Sequence, residues 1–258
     1  MVEERDVSYR DSHAAPGYGQ HYDKTYQHGY YAEQWRQIER PLVHEVMQQV
    51  VGAGAKSLLD FACGTGRILA LAEEVFGETW GVDVSPTMQE IARERCRRST
   101  LVLQDISKDP LSRRFDAVTA FRFFLNAEEP LRRAILRAIE EALAPGGVLI
   151  ANVHVNATSP LGLFYRARNR LRLTQPANTL SHDAFRQTVE ACGLSILQTW
   201  RYAYLPRPGP LLPGIVGAVM GPVERLCGAT GLVPASAAQS FLVVCGRPGD
   251  TPRFFDGA

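Results

Sequence analysis

From residue 41 onward the apolar positions switch repeatedly between a helical period and short continuous runs. Leu42, Val46, Met47, Val50 and Val51 line one helical face behind Pro41, which fits a first helical position, and Gly52 and Gly54 end the run. Residues 57–61 then form a short apolar run that predicts a buried strand. A helix carrying Ile68, Leu69, Leu71, Ala72, Val75 and Phe76 follows, stopped by Gly77, and residues 79–83 predict a second strand. Ser85 and Pro86 supply a cap and a first helical position for a helix through Met88, Ile91 and Ala92. Strands are expected at 101–103, 115–120 and 148–153, and two more near 195–202 and 240–246. Helices are expected from Pro130, with Leu131, Ile135, Ile139 and Ala142 on one side, and from Ser181, burying Phe185 and Val189. Strands alternating with helices predict an α/β fold with a mostly parallel sheet, helices on both faces.

Three stretches break this rhythm. Residues 1–40 hold six of the nine tyrosines and three of the six histidines, and Tyr22, Tyr26 and Tyr30 share one helical face. They are read as an arm or lid on a domain spanning 41–250; the plainer alternative is an aromatic stripe that packs on the body. Residues 156–180 carry Arg166, Arg168, Arg170 and Arg172, and residues 205–235 are rich in proline, glycine and apolar side chains. Insertions of this kind are expected at the mouth of a site, because loops carry specificity on a rigid scaffold. The 205–235 stretch is read as the wall of a pocket for a greasy acceptor or a dimer contact; the plain alternative is that it covers the sheet. It is too poor in lysine and arginine for an interfacial helix.

Composition narrows the partners. The chain has 258 residues, 45% of them hydrophobic and 21% charged, enough for one large domain. Its formal net charge of +1 gives no attraction to nucleic acid or to acidic membranes. No apolar run is long enough to span a bilayer, and the charged first residues do not suit a signal peptide. The five cysteines are scattered with no CxxC pair, so neither zinc nor a disulfide framework is expected, and a cytoplasmic setting is the simplest.

The chemistry concentrates in LLDFACGTGRIL, residues 58–69. A strand ends, a glycine turn follows and a helix opens. Gly64 and Gly66 allow close backbone approach, and the helix start offers free N–H groups and a positive dipole end. Asp60, at the strand tip, suits a cationic amine. Asp83, at the end of the second strand, suits the two hydroxyls of a ribose. The site therefore asks for a nucleoside joined to something short and charged. A dinucleotide fingerprint needs a third glycine where this chain has Leu69, which favours a smaller ligand.

With LLDFACGTGRIL, the stretches GVDVSPTM, LQDI, FDAVTAF and LAPGGVLIANV occur in an order and spacing that resembles the class I S-adenosylmethionine-dependent methyltransferases. The likeness is to the small-molecule enzymes related to the ubiquinone and menaquinone methyltransferases. It covers roughly 42–154 closely and 181–246 loosely. It implies a Rossmann-like, seven-stranded sheet with an antiparallel last strand, and S-adenosylmethionine as cofactor. On this pattern Asp60, Ala62, Gly64 and Gly66 line the methionine part, and Asp83 holds the ribose with Val84 and Met88 beside the adenine. Asp105 accepts from the adenine amino group with Ile106 against the ring, and Phe121 lies at the methionine end. For Asp105 the alternative is a turn cap; for Met88 and Phe121 it is plain packing.

The reaction so implied is in-line displacement of a methyl group from sulfonium, in which the protein positions the acceptor and removes its proton. Tyr22 or Tyr26 can hold a sulfonium by cation–π attraction. The candidate base is His154, past the fifth strand, with imidazole titrating near neutrality; a structural histidine is the alternative. His28 of the arm is a second candidate, and Arg122 and Asn126 are placed to touch a polar substrate. His182 is read as an exposed first-turn residue. No acidic cluster with metal-ligand spacing stands out, so no metal is expected. Nucleic acid is disfavoured as substrate: the position of an Asn-Pro-Pro-Tyr-type motif reads Phe121-Arg122-Phe123-Phe124. The expected function is methylation of a small hydrophobic or aromatic molecule, at oxygen by preference, with carbon and nitrogen open. The rivals are a nicotinamide-dependent oxidoreductase and a non-catalytic cofactor-binding protein.

Overall fold

The structure, a computed structural model, describes residues 18–172, 177–205, 213–230 and 233–250. Tyr9 and His13 of the arm, and Leu211 and Leu212 of the apolar stretch, lie outside them. The strands are β1 (Ser57–Phe61), β2 (Glu78–Asp83), β3 (Thr100–Leu103), β4 (Phe115–Ala120), β5 (Leu143–Val153), β6 (Ser195–Tyr202) and β7 (Ser240–Gly246). They form one sheet in the order β3-β2-β1-β4-β5-β7-β6. Neighbours from β3 to β5 are parallel, and β7 alone runs antiparallel, between β5 and β6. The expected seven-stranded sheet with an antiparallel last strand is what the chain builds.

Strand alternation places the core on both faces. Leu58, Ala117, Val148, Ile150, Leu242 and Val244 face one way, against Val43, Val46, Met47 and Val50 of α3 (Arg40–Gly52) and Ile68 and Leu71 of α4 (Arg67–Ala72). Leu59, Val118, Leu149, Ala151 and Val243 face the other way, against Ile135, Leu136 and Ile139 of α6 (Glu129–Ala142) and Phe185 and Val189 of α8 (His182–Glu190). Caps set two helix starts where the sequence places them. Ser85 Oγ accepts from Met88 N to open α5 (Pro86–Arg95), and Ser181 Oγ accepts from Ala184 N to open α8.

The arm departs from the expected start at Pro41. It holds α1 (Tyr18–Gln27) and α2 (Gly29–Gln34), and α2 runs into α3 through a π-helical turn, Trp35–Glu39. Proline at 41 has no N–H for the carbonyl of residue 37 and crowds it. The turn widens just before it, and Arg40 N–H donates to Trp35 O, one residue further back than in an α-helix. Two further helices form in the irregular stretches: α7 (Pro160–Arg170), capped by Ser159, and α9 (Pro213–Thr230).

Parallel strands point their carboxyl ends at one edge of the sheet. The order in which strands are laid down reverses between β1 and β4, and the crevice above that point is where ligands bind in open α/β sheets.

Candidate active site

A cavity of about 550 Å³ opens at the carboxyl ends of β1, β2, β4 and β5. Its floor comes from strand ends and backbone, and one side wall comes from the arm. Tyr22, Asp60, Ala62, Gly64, Asp83, Val84, Met88, Asp105, Phe121, Arg122 and His154 all line it. Positions from 22 to 154 thus meet in one space.

Asp60 ends the buried middle strand. Its Oδ1 accepts from Thr119 Oγ1 of β4 at 2.6 Å, while Oδ2 is buried without a hydrogen bond of normal geometry. Burial pushes this carboxyl up to about 7; the Thr119 bond pulls the other way and the Asp83 charge adds to the rise. A buried acid short of one partner, facing a cavity, suits an ammonium group. Asp83 ends β2 and spans the turn: its Oδ2 accepts from Gly64 N at 2.8 Å and its Oδ1 from Ser85 N at 2.8 Å. These two backbone bonds fix Asp83 at the lip of the cavity, which it lines. Ala62 takes a left-handed φ of 52°, which turns the chain sharply out of β1.

The two glycines of the turn do different work. Gly64 faces the cavity, and a methyl built on it meets nothing closer than 3.9 Å. Gly66 does not line the cavity. It sits at φ +76°, and a methyl on it would lie 2.8 Å from Cys96 Sγ and 3.1 Å from Ala92 Cβ. Its expected place along the methionine part is corrected to a close approach of the turn to α5. Leu69, at the third glycine position, is fully buried, and its Cδ2 lies 2.5 Å from where a Cβ on Gly81 would be. The missing side chain at this helix–strand contact is on the strand, at Gly81, instead of on the helix.

At the end of the cavity beside β2 and β3, Val84, Met88 and Asp105 line it, joined by Gln104. Asp105 also caps its turn, its Oδ1 accepting from Ser107 N at 3.2 Å and Ser107 Oγ at 2.7 Å. Ile106 is buried in the sheet core and is not part of the lining, a correction to its expected contact with a ring. The chain turns at Asp105, so the next side chain points inward instead of along the cleft.

The arm wall carries charge the sequence did not reveal. Arg122 follows β4 at a left-handed φ of 58°, its N–H held by Asn152 Oδ1 at 2.7 Å. That bend sends its side chain back to Glu39, in the π-turn, at 3.0 Å, and to Tyr26 Oη at 3.2 Å. Tyr202 Oη also donates to Glu39, at 3.0 Å. Burial would raise the Glu39 carboxyl, but the Arg122 and Arg67 charges outweigh it and hold it below its ordinary value. Arg67 lies with its guanidinium 4.4 Å from the Tyr26 ring centre and 4.7 Å from that of Trp35. The Tyr22 ring packs tilted against that of Tyr26, centres 4.7 Å apart, and burial, then Tyr26, push its phenol up, so it stays protonated. Arg122 is accordingly a charged, ion-paired wall residue. Nothing in the sequence marked Glu39; it sits in ERPL, which reads as an exposed helix start.

His28 is corrected as well. It is an exposed N-terminal neighbour of α2 and does not line the cavity, because α1 and α2 turn at Gly29 and direct the tyrosines inward. His154 does line it, with Asn126, Phe121, Phe123, Leu131 and Ile135. His182 is half-buried rather than exposed: its Nε2 is 3.0 Å from Thr199 Oγ1 and its ring packs on Phe241. Among the described residues of 205–235 none lines the cavity. Instead α9 packs on the arm, where Gln37 donates to Gly217 O at 2.6 Å and accepts from Gly221 N at 3.1 Å. Cys63 touches the cavity, but burial, then Asp83, raise its thiol far above its usual value, so it is no nucleophile. Among the described residues no group of three His, Cys, Asp or Glu is placed to hold a metal, and no helix is long and apolar enough to cross a membrane.

Comparison with known proteins agrees with this geometry. Residues 58–147 match the family model described as a methyltransferase domain. A dTDP-4-amino-2,3,4,6-tetradeoxy-D-glucose N,N-dimethyltransferase of Saccharopolyspora spinosa is 35% identical over 99 residues, 37% of this chain and 39% of that protein. A ubiquinone biosynthesis O-methyltransferase of Hydrogenovibrio crunogenus is 27% identical over 157 residues, 58% of this chain and 64% of that protein. The chain thus spans about two fifths of the length of the first of these relatives and under two thirds of the second. Magnesium protoporphyrin IX methyltransferase from Synechocystis shares the fold at a TM-score of 0.62 and 16% identity, over 93% of this chain and 97% of that one. The matched residues are the strand, glycine turn and acid-tipped second strand that floor the cavity, so the chain carries a methyltransferase domain over residues 58–147.

Proposed function

We propose that the protein transfers a methyl group from S-adenosylmethionine to a small molecule with an apolar or aromatic body, at a hydroxyl oxygen. The observation that carries the cofactor reading is the meeting of Asp60, Gly64 and Asp83 on one cavity. When bound, S-adenosylmethionine supplies a methyl group already activated on sulfonium. The residues present fit it. Asp60, with its unsatisfied oxygen and raised pKa, takes the ammonium; Asp83 takes the ribose hydroxyls; Val84, Met88 and Asp105 receive the adenine.

Phe121, Phe123, Leu131 and Ile135 offer an apolar bed for the acceptor, with His154 and Asn126 as its polar groups. His154 would take the proton of the acceptor hydroxyl as that oxygen accepts the methyl group. The tyrosine wall closes one side of the cavity against water. The near-zero net charge supports a small molecule over nucleic acid. A nitrogen acceptor is the second reading, favoured by the dTDP-amino sugar N,N-dimethyltransferase among the relatives.

The test is methyl transfer from labelled S-adenosylmethionine to matched hydrophobic phenols and amines. Phenol methylation that falls about 100-fold or more in kcat in His154→Gln, with unchanged S-adenosylhomocysteine affinity, supports the oxygen reading. Turnover of amines alone, indifferent to that substitution, moves the acceptor to nitrogen. NAD binding without S-adenosylhomocysteine binding overturns the reading.

A further inference from the structure

Helix α7 is built to face outward with an unusual surface. Gly162 fixes its inner side: a Cβ there would lie 2.0 Å from Asn156 O and 2.8 Å from Ala157 Cα, so backbone packs directly on backbone. Ser159 locks the start, its Oγ accepting from Gly162 N at 3.1 Å. Phe164, Ala167 and Leu171 fall opposite Gly162 on the helix, at the spacing of one face. Phe164 is 60% exposed, Leu171 67% and the adjacent Leu163 53%. These are large apolar side chains held in water by a fixed backbone, on one contiguous stripe.

The borders of the stripe are cationic. Arg166 and Arg170, four residues apart, line one edge beside Leu163; Arg168 lies on the other, and Arg172 sits just past the helix end. None of the four is in an ion pair among the described residues. No aspartate or glutamate occurs anywhere between Glu141 and Asp183. A chain of net charge +1 therefore concentrates four positive charges, with no acid beside them in sequence, around three of its large exposed apolar residues.

We infer that α7 is a docking surface for an anionic lipid bilayer, its Leu163, Phe164 and Leu171 entering the headgroup–acyl boundary and its arginines meeting the lipid phosphates. The arrangement is that of a helix lying in an interface: an apolar face, a cationic border, and long side chains whose heads stay at headgroup level. Self-association through this face is disfavoured, because a two-fold contact would set arginines against arginines with no acid in the segment to receive them. Helix α7 begins six residues after the cavity residue His154, past the carboxyl end of β5. The inference concerns a surface and stands or falls independently of the acceptor chemistry.

The test is sedimentation of the full chain with vesicles of phosphatidylcholine alone and with phosphatidylglycerol added to about 30 mol%. The expected result is binding to the anionic vesicles only, lost on raising salt. Two variants keep the measurement interpretable: Phe164→Ser with Leu171→Ser, and Arg166→Gln with Arg170→Gln, each on exposed positions and each checked for unchanged circular dichroism and S-adenosylhomocysteine affinity. Each is expected to weaken vesicle binding about tenfold or more. No binding, equal binding to neutral vesicles, or binding unaffected by both variants overturns the inference. So does a dimer in solution that Phe164→Ser with Leu171→Ser converts to monomer while vesicles are ignored.

Discussion

The cavity has two walls made of different material. The floor is backbone: the ends of β1 and β2, a glycine turn, and two acids whose positions follow from where strands stop. The arm wall is side chain: Tyr22, Tyr26, Arg67 and Arg122, held by one buried carboxylate, Glu39, from the other end of a π-turn. The floor leaves an acid underpaired and uncomfortable, as a binding site does. The arm wall satisfies its acid from two sides, as a structural core does. Binding and stability are thereby assigned to opposite walls, and substitutions can separate them.

The largest expected effect is on the arm. Glu39→Ala leaves Arg122 buried beside Arg67 without its counter-ion, and unfolding free energy measured in denaturant should drop by about 3–5 kcal/mol. An Arg122→Met, Glu39→Leu pair should recover most of it, because the loss comes from the orphaned charge. Asp60→Asn acts on the other wall. It should weaken S-adenosylhomocysteine about 10- to 100-fold, the worth of a hydrogen bond to a charged group. It should leave stability near pH 8 equal or higher, since it removes a buried charge.

The Asp60 carboxyl titrates near 3.8 when unfolded and near 7 when folded. Between these values the folded state holds the extra proton, so this group's contribution to stability falls as pH rises across that window. Asp60→Asn should flatten that slope. Gly81→Ala is smaller: the new methyl meets Leu69 and Leu101, and overpacking should cost about 1–3 kcal/mol, largely relieved by Leu69→Ala in the same chain. Smallest is Ser85→Ala, about 1 kcal/mol from the lost cap of α5, read as a shifted denaturation midpoint.

The same division explains what could be read from the sequence. Strand ends, caps and glycine turns are local, so β1, β2, α5 and the placing of Asp60, Gly64 and Asp83 on the cavity are legible in the sequence. Gly66 and Ile106 were misplaced because lining or packing depends on which way one residue turns at a bend. The arm was opaque because its logic is long-range: Glu39 meets Arg122, 83 positions away, only once the left-handed turn at Arg122 is made. The helical register of α7 was visible only after its proline and serine were seen to form a cap, since its apolar side faces outward and mimics a loop. The 205–235 stretch looked like a pocket wall from composition alone, whereas α9 covers the arm instead.

The measurement that bears most directly on the account is calorimetric titration of S-adenosylhomocysteine into wild type and Asp60→Asn, at pH 6 and pH 8, with NAD as the parallel ligand. An ammonium group needs Asp60 ionised, so wild-type affinity should rise about tenfold between the two pH values, with proton release at the lower one, while Asp60→Asn shows a weaker, flat response and NAD none. Wild-type affinity that is independent of pH and untouched by the substitution, or binding of NAD in place of S-adenosylhomocysteine, would contradict the assignment of the floor to the cofactor.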